Sequence, residues 1–328
     1  MNFIIIFLTI LFLLPINSFA KSGYYEGCYY ETGDGISTSV SGRVSKEKDK
    51  GIFLYSYSVK SNPQSEQDVW YFRIILPAKS IIIDAIAPAG WGGPGWSGKP
   101  TKYGHLRQSE LPPPYGIGWT APRGRNMKPS EKASGFMFRT SFGLPGIVAY
   151  YAEGDAPLPK CEAEPEGNFI PGYHDLTPYG PGIIGRTIGP TAPPLPFLPT
   201  DFLNYIISLK HEAFKLGWIV QGRDDDKGKH DDEEEGIIKS LDKKLEKAKA
   251  ELIKGDTKEA IEKLKSFIHE VEGLYDEERE REEWKKNRKE KGDHSHITSE
   301  AYALLKYNTV YLIEQLGGEW KDKNNKKD

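Results

Sequence analysis

Trp91, Trp96, Tyr115 and Trp119 fall within one stretch, residues 89–125, that is otherwise dominated by glycine and proline, as in Gly90-Trp91-Gly92-Gly93-Pro94-Gly95-Trp96 and Pro112-Pro113-Pro114-Tyr115. Tryptophan and tyrosine offer a flat apolar face with a polar handle, which suits them to stack on sugar rings or on proline-rich peptides. A loop this long in a compact domain is usually functional or disordered. These four residues form the candidate ligand-binding set, with Trp96 and Trp119 expected to be at least partly exposed. The alternative is that the rings close one open end of a β structure and add to its core.

Residues for covalent chemistry are scarcer. The sequence contains no G-x-S-x-G elbow, H-E-x-x-H pair, P-loop or dinucleotide fingerprint. His211-Glu212 and His269-Glu270 each lack the second histidine, one helical turn on, that a zinc site would need. A glycosidase needs only two carboxylates, and Asp34, Asp68, Asp84, Glu110 and Glu131 are the main acids of the aromatic-rich half. Asp84 sits in the apolar run Ile81-Ile82-Ile83-Asp84-Ala85-Ile86 and requires a partner there, for which Arg73 is the expected cation. The acidic stretch 223–235, with Asp224, Asp226, Asp231 and Asp232, lacks the ordered spacing of a calcium loop and reads as a solvated segment. His230, His294 and His296 make a weak case for a transition metal. The expectation is therefore a protein with no catalytic residues, no cofactor and no metal.

Cys28 and Cys161 are the two cysteines, and both follow the N-terminal apolar segment. In an oxidising compartment such a pair is expected to form a disulfide, with two free thiols as the alternative. Closing so long a loop would contribute about 4–5 kcal/mol on the chain-entropy account, and would bracket the first domain. The compartment follows from residues 1–20, where an apolar run from Phe3 to Leu14 leads to Ser18-Phe19-Ala20, a small-x-small site. The run is short for a membrane span. It is read as an export signal cleaved after Ala20, with an uncleaved anchor as the other reading. The mature chain is expected to be secreted or periplasmic and to carry no membrane span. The formal net charge of −3 gives no electrostatic case for nucleic acid.

The elements that would position these residues divide into two kinds. Residues 52–59 put Phe53, Tyr55, Tyr57 and Val59 on one face and serines on the other, and 69–76, 80–86, 135–140 and 147–151 are further β-favoured runs separated by Gly and Pro turns. That spacing predicts an all-β sandwich of the immunoglobulin or jelly-roll kind over residues 24–161. Residues 162–199 read as a Pro/Gly-rich linker lying along one domain. Residues 200–318 change to a helical period. A first helix capped by Thr200 or Asp201 ends at Gly217, a second spans Ile238 to Leu252, a third is opened by the Asp256/Glu259 capping pair, and a last begins at Thr298. The short Gly255-Asp256 turn requires the middle two to be antiparallel. The prediction is a separate C-terminal all-α antiparallel bundle, followed by a disordered tail over 319–328.

Residues 245–316 resemble the bacterial FIMAH domain, from about residue 240. The matching positions are Leu252, Gly255-Asp256, Ala260, Leu264, Phe267-Ile268, Val271, Ile297-Thr298, Ala301, Leu304-Leu305 and Ile313 to Leu316. The charged segment 276–296 departs from that pattern. The resemblance implies an extracytoplasmic accessory module with an interaction role. Together these features describe an exported, non-catalytic binding or adhesion protein. Its β domain would recognise a saccharide or peptide, and its helices would mediate contact with a protein partner. A secreted hydrolase with an unrecognised carboxylate pair, or a structural envelope component, are the alternatives.

Overall fold

The computed structural model describes residues 22–25, 28–31, 34–47, 51–76, 82–92, 116–122, 124–155, 160–161, 182–220, 236–275 and 296–321. The proposed export signal, the acidic stretch 223–235, the charged segment 276–295 and the last seven residues of the tail lie outside them. In chain order the elements are β1 (Ser22–Tyr25), β2 (Cys28–Glu31), β3 (Thr38–Lys46), β4 (Phe53–Ser61), β5 (Val69–Ile75), β6 (Ile82–Ile86), β7 (Gly116–Thr120), β8 (Lys132–Thr140), β9 (Leu144–Gly154), β10 (Lys160–Cys161), β11 (Ile183–Thr191), α1 (Pro199–Lys215), β12 (Ile219–Val220), α2 (Gly236–Lys254), α3 (Thr257–Leu274), β13 (His296–Ile297) and α4 (Ser299–Gln315).

Two four-stranded antiparallel sheets, ordered β3-β4-β8-β6 and β11-β9-β5-β7, carry most of the strands. Strict alternation makes them. In β4 the rings of Phe53, Tyr55 and Tyr57 and the Val59 side chain are buried while Leu54, Ser56 and Ser58 turn the other way. The second sheet answers with Phe72 and Ile74 from β5, Trp119 from β7, and Tyr150 and Ala152 from β9. The sheets meet through rings. Phe72 lies 5.2 Å from Phe136 and 6.3 Å from Tyr57, and the Tyr57 hydroxyl donates to the Ile188 carbonyl at 2.8 Å.

The last helix overturns the expected division into a β-sandwich and a separate helical bundle. Twelve of the seventeen residues of α4 are buried, among them Ser299, Glu300, Lys306, Asn308 and Thr309, so α4 is enclosed on all sides rather than amphipathic. It packs on α1 and α3 on one side and on β3 and β9 on the other. The Gly42 N–H donates to Glu300 Oε1 at 2.6 Å, and the Ser299 hydroxyl donates to the Gly42 carbonyl at 3.0 Å. Asn308 Nδ2 donates to the Pro145 carbonyl at 2.7 Å, and the Tyr307 ring stands edge-on to Phe53 at 5.4 Å. One continuous apolar core thus runs from Phe53 and Phe72 through Val148 to Leu304, Leu264 and Leu241. The helical period identifies which residues of α4 are apolar, but it cannot reveal that its polar residues satisfy sheet backbone instead of water. The fold is a mixed α and β architecture in which α4 joins the other three helices to the two sheets.

Local details refine other expectations. Residues 183–191, within the expected linker, form β11, an edge strand along β9, where Pro190 is tolerated because one side of the strand needs no ladder bond. Helix α1 begins two or three residues earlier than its polar residues suggest. Leu198 is the N-cap and makes no side-chain cap, and Pro199 occupies the first turn. The other starts follow the sequence reading, with Asp256 accepting from the Glu259 N–H at 3.0 Å and Thr298 from the Ala301 N–H at 3.5 Å.

Gly42 has no room for a side chain. A Cβ there would lie 2.7 Å from Ile188 Cγ2 and 3.2 Å from the Tyr57 ring. Gly42→Ala should therefore cost about 1–3 kcal/mol by overpacking, and Glu300→Ala a similar amount by leaving the Gly42 N–H without an acceptor. In urea titrations both variants are expected to lower the midpoint of the helical far-UV signal and of tryptophan fluorescence together. Separate midpoints would show that the helices and sheets unfold as independent units.

Candidate functional site

The outer face of the β3-β4-β8-β6 sheet is a grid set by register. Ser39, Lys60 and Lys132 stand side by side in one row, Ser41, Ser58 and Ser134 in the next, and Arg43, Ser56, Met137 and Ile86 in the third. Ser45, Leu54, Arg139 and Asp84 complete a fourth. Gly135 is the extra residue of a bulge in β8, at φ +104, and it keeps Lys132 and Ser134 on the same face as Met137 and Arg139. The Ser58 hydroxyl donates to Ser134 Oγ at 2.7 Å across the strands.

Beside the β8 end of this grid lies a concavity of about 320 Å³, lined by Pro88, Ala89, Trp91, Arg125, Asn126, Met127, Glu131, Lys132, Ala133 and Ser134. Three backbone fixtures build it. After β6 the chain turns at Pro88, whose carbonyl accepts from the Trp91 N–H at 3.0 Å, and Gly92 then pairs with Thr120 at the end of β7. Met127 pairs with Val69 in both directions at 2.8 and 2.9 Å. The Glu131 carboxylate accepts from the Lys128 N–H at 2.8 Å, closing the turn into β8. Trp91 is half-buried with its ring edge-on to Phe136 at 4.9 Å and 87°, so one side is anchored in the core. Asn126 Nδ2 donates to Asp155. Partial burial, and then the neighbouring charges of Arg43 and Lys60, pull the Lys132 amine below its usual range.

The four predicted aromatic residues separate. Trp91 lines the concavity. Trp119, expected to be exposed, is fully buried. Its ring stacks on Phe72 at 5.7 Å and meets Phe136 at 5.4 Å, and its indole N–H donates to the Ile86 carbonyl at 3.0 Å. The reason is that Gly116-Ile117-Gly118-Trp119-Thr120 is a strand whose Ile and Trp alternate inward. Trp96 and Tyr115 lie outside the described residues. Sequence reasoning missed Arg125, Asn126, Lys132 and Ser134. Only the Lys-Ala-Ser alternation at the start of β8 hinted that two of them share a face.

Of the candidate acids, Asp84 and Glu131 have structural partners. Asp84 is bound by Arg139, through Nε at 2.9 Å to both carboxylate oxygens, and not by Arg73 as expected; the register that sets Asp84 opposite Arg139 decides this. Arg139 also reaches Glu47 at 3.1 Å, and these two carboxylates hold the guanidinium well above its usual range. Glu110 lies outside the described residues. His211 stands 3.7 Å from Asp242, and His269 pairs with Glu272 at 3.4 Å while packing on Trp320. No group of three or more metal-ligating side chains occurs among the described residues, and no helix among them is long and apolar enough to cross a membrane. Comparison with protein-family models and with curated proteins finds no match.

Two further groups yield measurable expectations. The backbone register sets Cys28 directly opposite Cys161 in the β2–β10 pair, and directly opposed residues of antiparallel strands lie about 4.5–5.5 Å apart at Cα, within disulfide range. Thiol labelling of the denatured, non-reduced protein is expected to modify neither cysteine, and modification of both would show that the bridge is absent.

Glu153, on the opposite sheet, is buried beside Tyr151, whose hydroxyl donates to it at 2.9 Å. Burial pushes its carboxyl up from 4.5 to about 7, against the pull of hydrogen bonds from Tyr151 and Trp70. Because the folded value is raised, the stabilisation by neutral Glu153 is complete below the unfolded range and is lost as pH rises through about 7. Glu153→Gln should remove that loss, so its melting temperature relative to wild type should be higher at pH 8 than at pH 5. An equal difference at the two pH values would contradict this.

Proposed function

We propose that this is an exported, non-catalytic binding protein that recognises a saccharide at the concavity around Trp91. The observation that carries the reading is the setting of the Trp91 ring. It is anchored edge-on in the core, half-buried, and surrounded by groups suited to hydroxyls: the Asn126 amide, the Arg125 and Lys132 cations, and the Ser134 hydroxyl. An aromatic platform with a few polar groups around it is the common chemistry of sugar recognition, since the ring takes the C–H face and the polar groups take the hydroxyls. Trp119 has no part in it and serves as its structural control.

Export rests on the sequence of residues 1–20 and accords with the paired cysteines. A role for the helices in contacting a protein partner, as the FIMAH resemblance implies, draws support from the exposed apolar side chain of Ile253 on α2.

A glycan array probed with the mature protein, wild type and two tryptophan variants, tests the reading. Trp91→Ala is expected to weaken capture of the bound glycans by roughly tenfold or more, in keeping with the 1–2 kcal/mol of an aromatic anchor. Trp119→Ala is expected to cost about 3–5 kcal/mol of stability as a truncated core ring. If Trp91→Ala binds every captured glycan as the wild type does, the concavity is not the recognition site.

A further inference from the structure

We infer that the saccharide is an acidic polysaccharide, and that its chain runs out of the Trp91 concavity across the outer face of β8, β4 and β3; this rests on the saccharide reading above and names the ligand class. The first ground is charge. Arg43, Lys60 and Lys132 each occupy one of three successive rows of the sheet face, and none of the nine positions that β3, β4 and β8 contribute to those rows is a carboxylate. Within the four strands the first carboxylate in these rows is Asp84, one row further on and bound by Arg139, while Glu131 at the rim of the concavity accepts from the Lys128 N–H. This local excess of positive charge runs against a chain whose net charge is −3, so it is a feature of the face and not of the composition. A partner with regularly spaced negative charge is its electrostatic complement.

The second ground is the hydroxyl row. Ser41, Ser58 and Ser134 lie in register across three strands. Neighbouring strands are about 4.8 Å apart, so the row offers donors and acceptors at a short, regular repeat, of the same order as the length of one sugar ring. The bond between Ser58 and Ser134 shows that these side chains reach one another along the row. The third ground is continuity. Lys132 and Ser134 line the concavity and also begin the first two rows, so a chain seated on Trp91 meets the cationic face without a gap. Beyond Trp91 the three rows contain no aromatic ring on which successive bases could stack, and the two rows that adjoin the concavity contain no apolar side chain to enter a bilayer, which favours a carbohydrate over a nucleic acid or a lipid surface.

The test uses the mature full-length protein in affinity electrophoresis against polygalacturonate, dextran sulfate and neutral dextran, with a single-stranded oligonucleotide and phosphatidylglycerol vesicles measured in parallel. Three proteins are compared: wild type, Trp91→Ala, and a triple variant carrying Arg43→Gln, Lys60→Ala and Lys132→Ala. If the triple variant misfolds by circular dichroism, the double variant Lys60→Ala, Lys132→Ala replaces it. The expected result is retardation of wild type by one or both acidic polymers, at least tenfold weaker binding by the triple variant, and a salt dependence shallower by about two in log–log slope. Capture of neutral glycans that depends on Trp91 but is unchanged in the triple variant would overturn the acidic-ligand inference and leave the saccharide reading intact. Binding of acidic polymers that depends on the cations but not on Trp91 would overturn the saccharide concavity and the path drawn from it. Equal or tighter binding of the oligonucleotide or of the vesicles would overturn the choice of ligand class, and failure to bind any polysaccharide would overturn both readings.

Discussion

An edge strand must do something with the backbone groups that face away from its sheet. In β3 those groups at Gly42 are met by α4, where Glu300 accepts the N–H and Ser299 donates to the carbonyl. Burying a carboxylate and a hydroxyl is costly unless they are paired, and leaving a strand edge open invites pairing with other chains. Each problem solves the other here. The contact needs Gly42, since any side chain would enter the space held by Ile188 and Tyr57. It needs α4 to arrive with its first turn at the strand, which the Thr298 cap arranges. Asn308 repeats the device one layer on, at the Pro145 carbonyl of β9. From these few polar contacts follows the continuity of the core between Phe53 and Leu264, because they fix the distance at which helix and sheets must pack.

Much of the strand and helix inventory is legible from the sequence because it rests on periodicity. Phe53, Tyr55, Tyr57 and Val59 alternate without interruption, and the Gly255-Asp256 turn permits only a close return of α3 along α2. What periodicity does not carry is the partner of each face. The polar residues of α4 look like a solvated stripe, and only three-dimensional packing shows that Ser299, Glu300 and Asn308 address sheet backbone. Trp119 illustrates the converse. Glycines on either side of a tryptophan suggest an open loop, whereas in Gly116-Ile117-Gly118-Trp119-Thr120 they leave space for neighbours. A Cβ on Gly118 would collide with the Tyr71 hydroxyl at 2.3 Å, and one on Gly116 with Arg73 Nε at 2.4 Å. The glycines are there because long side chains of β5 lie over them. Asp84 teaches a third lesson. Its need for a cation follows from its apolar flanks, but the choice of Arg139 over Arg73 is a matter of register, which no single strand encodes.

The candidate site escapes sequence reading for a related reason. Its members come from the turn after β6, the segment between β7 and β8, and the first residues of β8, and they have no common spacing. Two local distortions bring them together. The bulge at Gly135 bends β8 where Pro88 approaches, its Cβ 3.7 Å from where a Gly135 side chain would begin. The paired bridges at Gly92 and Met127 tie both loops to β7 and β5. A conventional strand in place of the bulge would turn Lys132 and Ser134 to the opposite face, since one residue of slip reverses every side chain.

The same strand that anchors the helices also displays part of the cationic face. Ser41 and Arg43 flank Gly42, and in an extended strand their side chains point opposite to the position Gly42 would direct one. Fixing Gly42 against α4 therefore fixes the height and tilt of the outer row at its β3 end. At the other end of that sheet the Arg139 network with Asp84 and Glu47 ties β8, β6 and the end of β3 together. The Arg43 row lies between these two anchorages, and the spacing of charges and hydroxyls along the face is set by backbone register rather than by loops. A surface of that kind loses little conformational freedom when it meets an extended ligand. The helices then serve the sheet as a brace, which gives a physical reason for α4 to be buried on every side in a protein whose exposed chemistry lies on the strands.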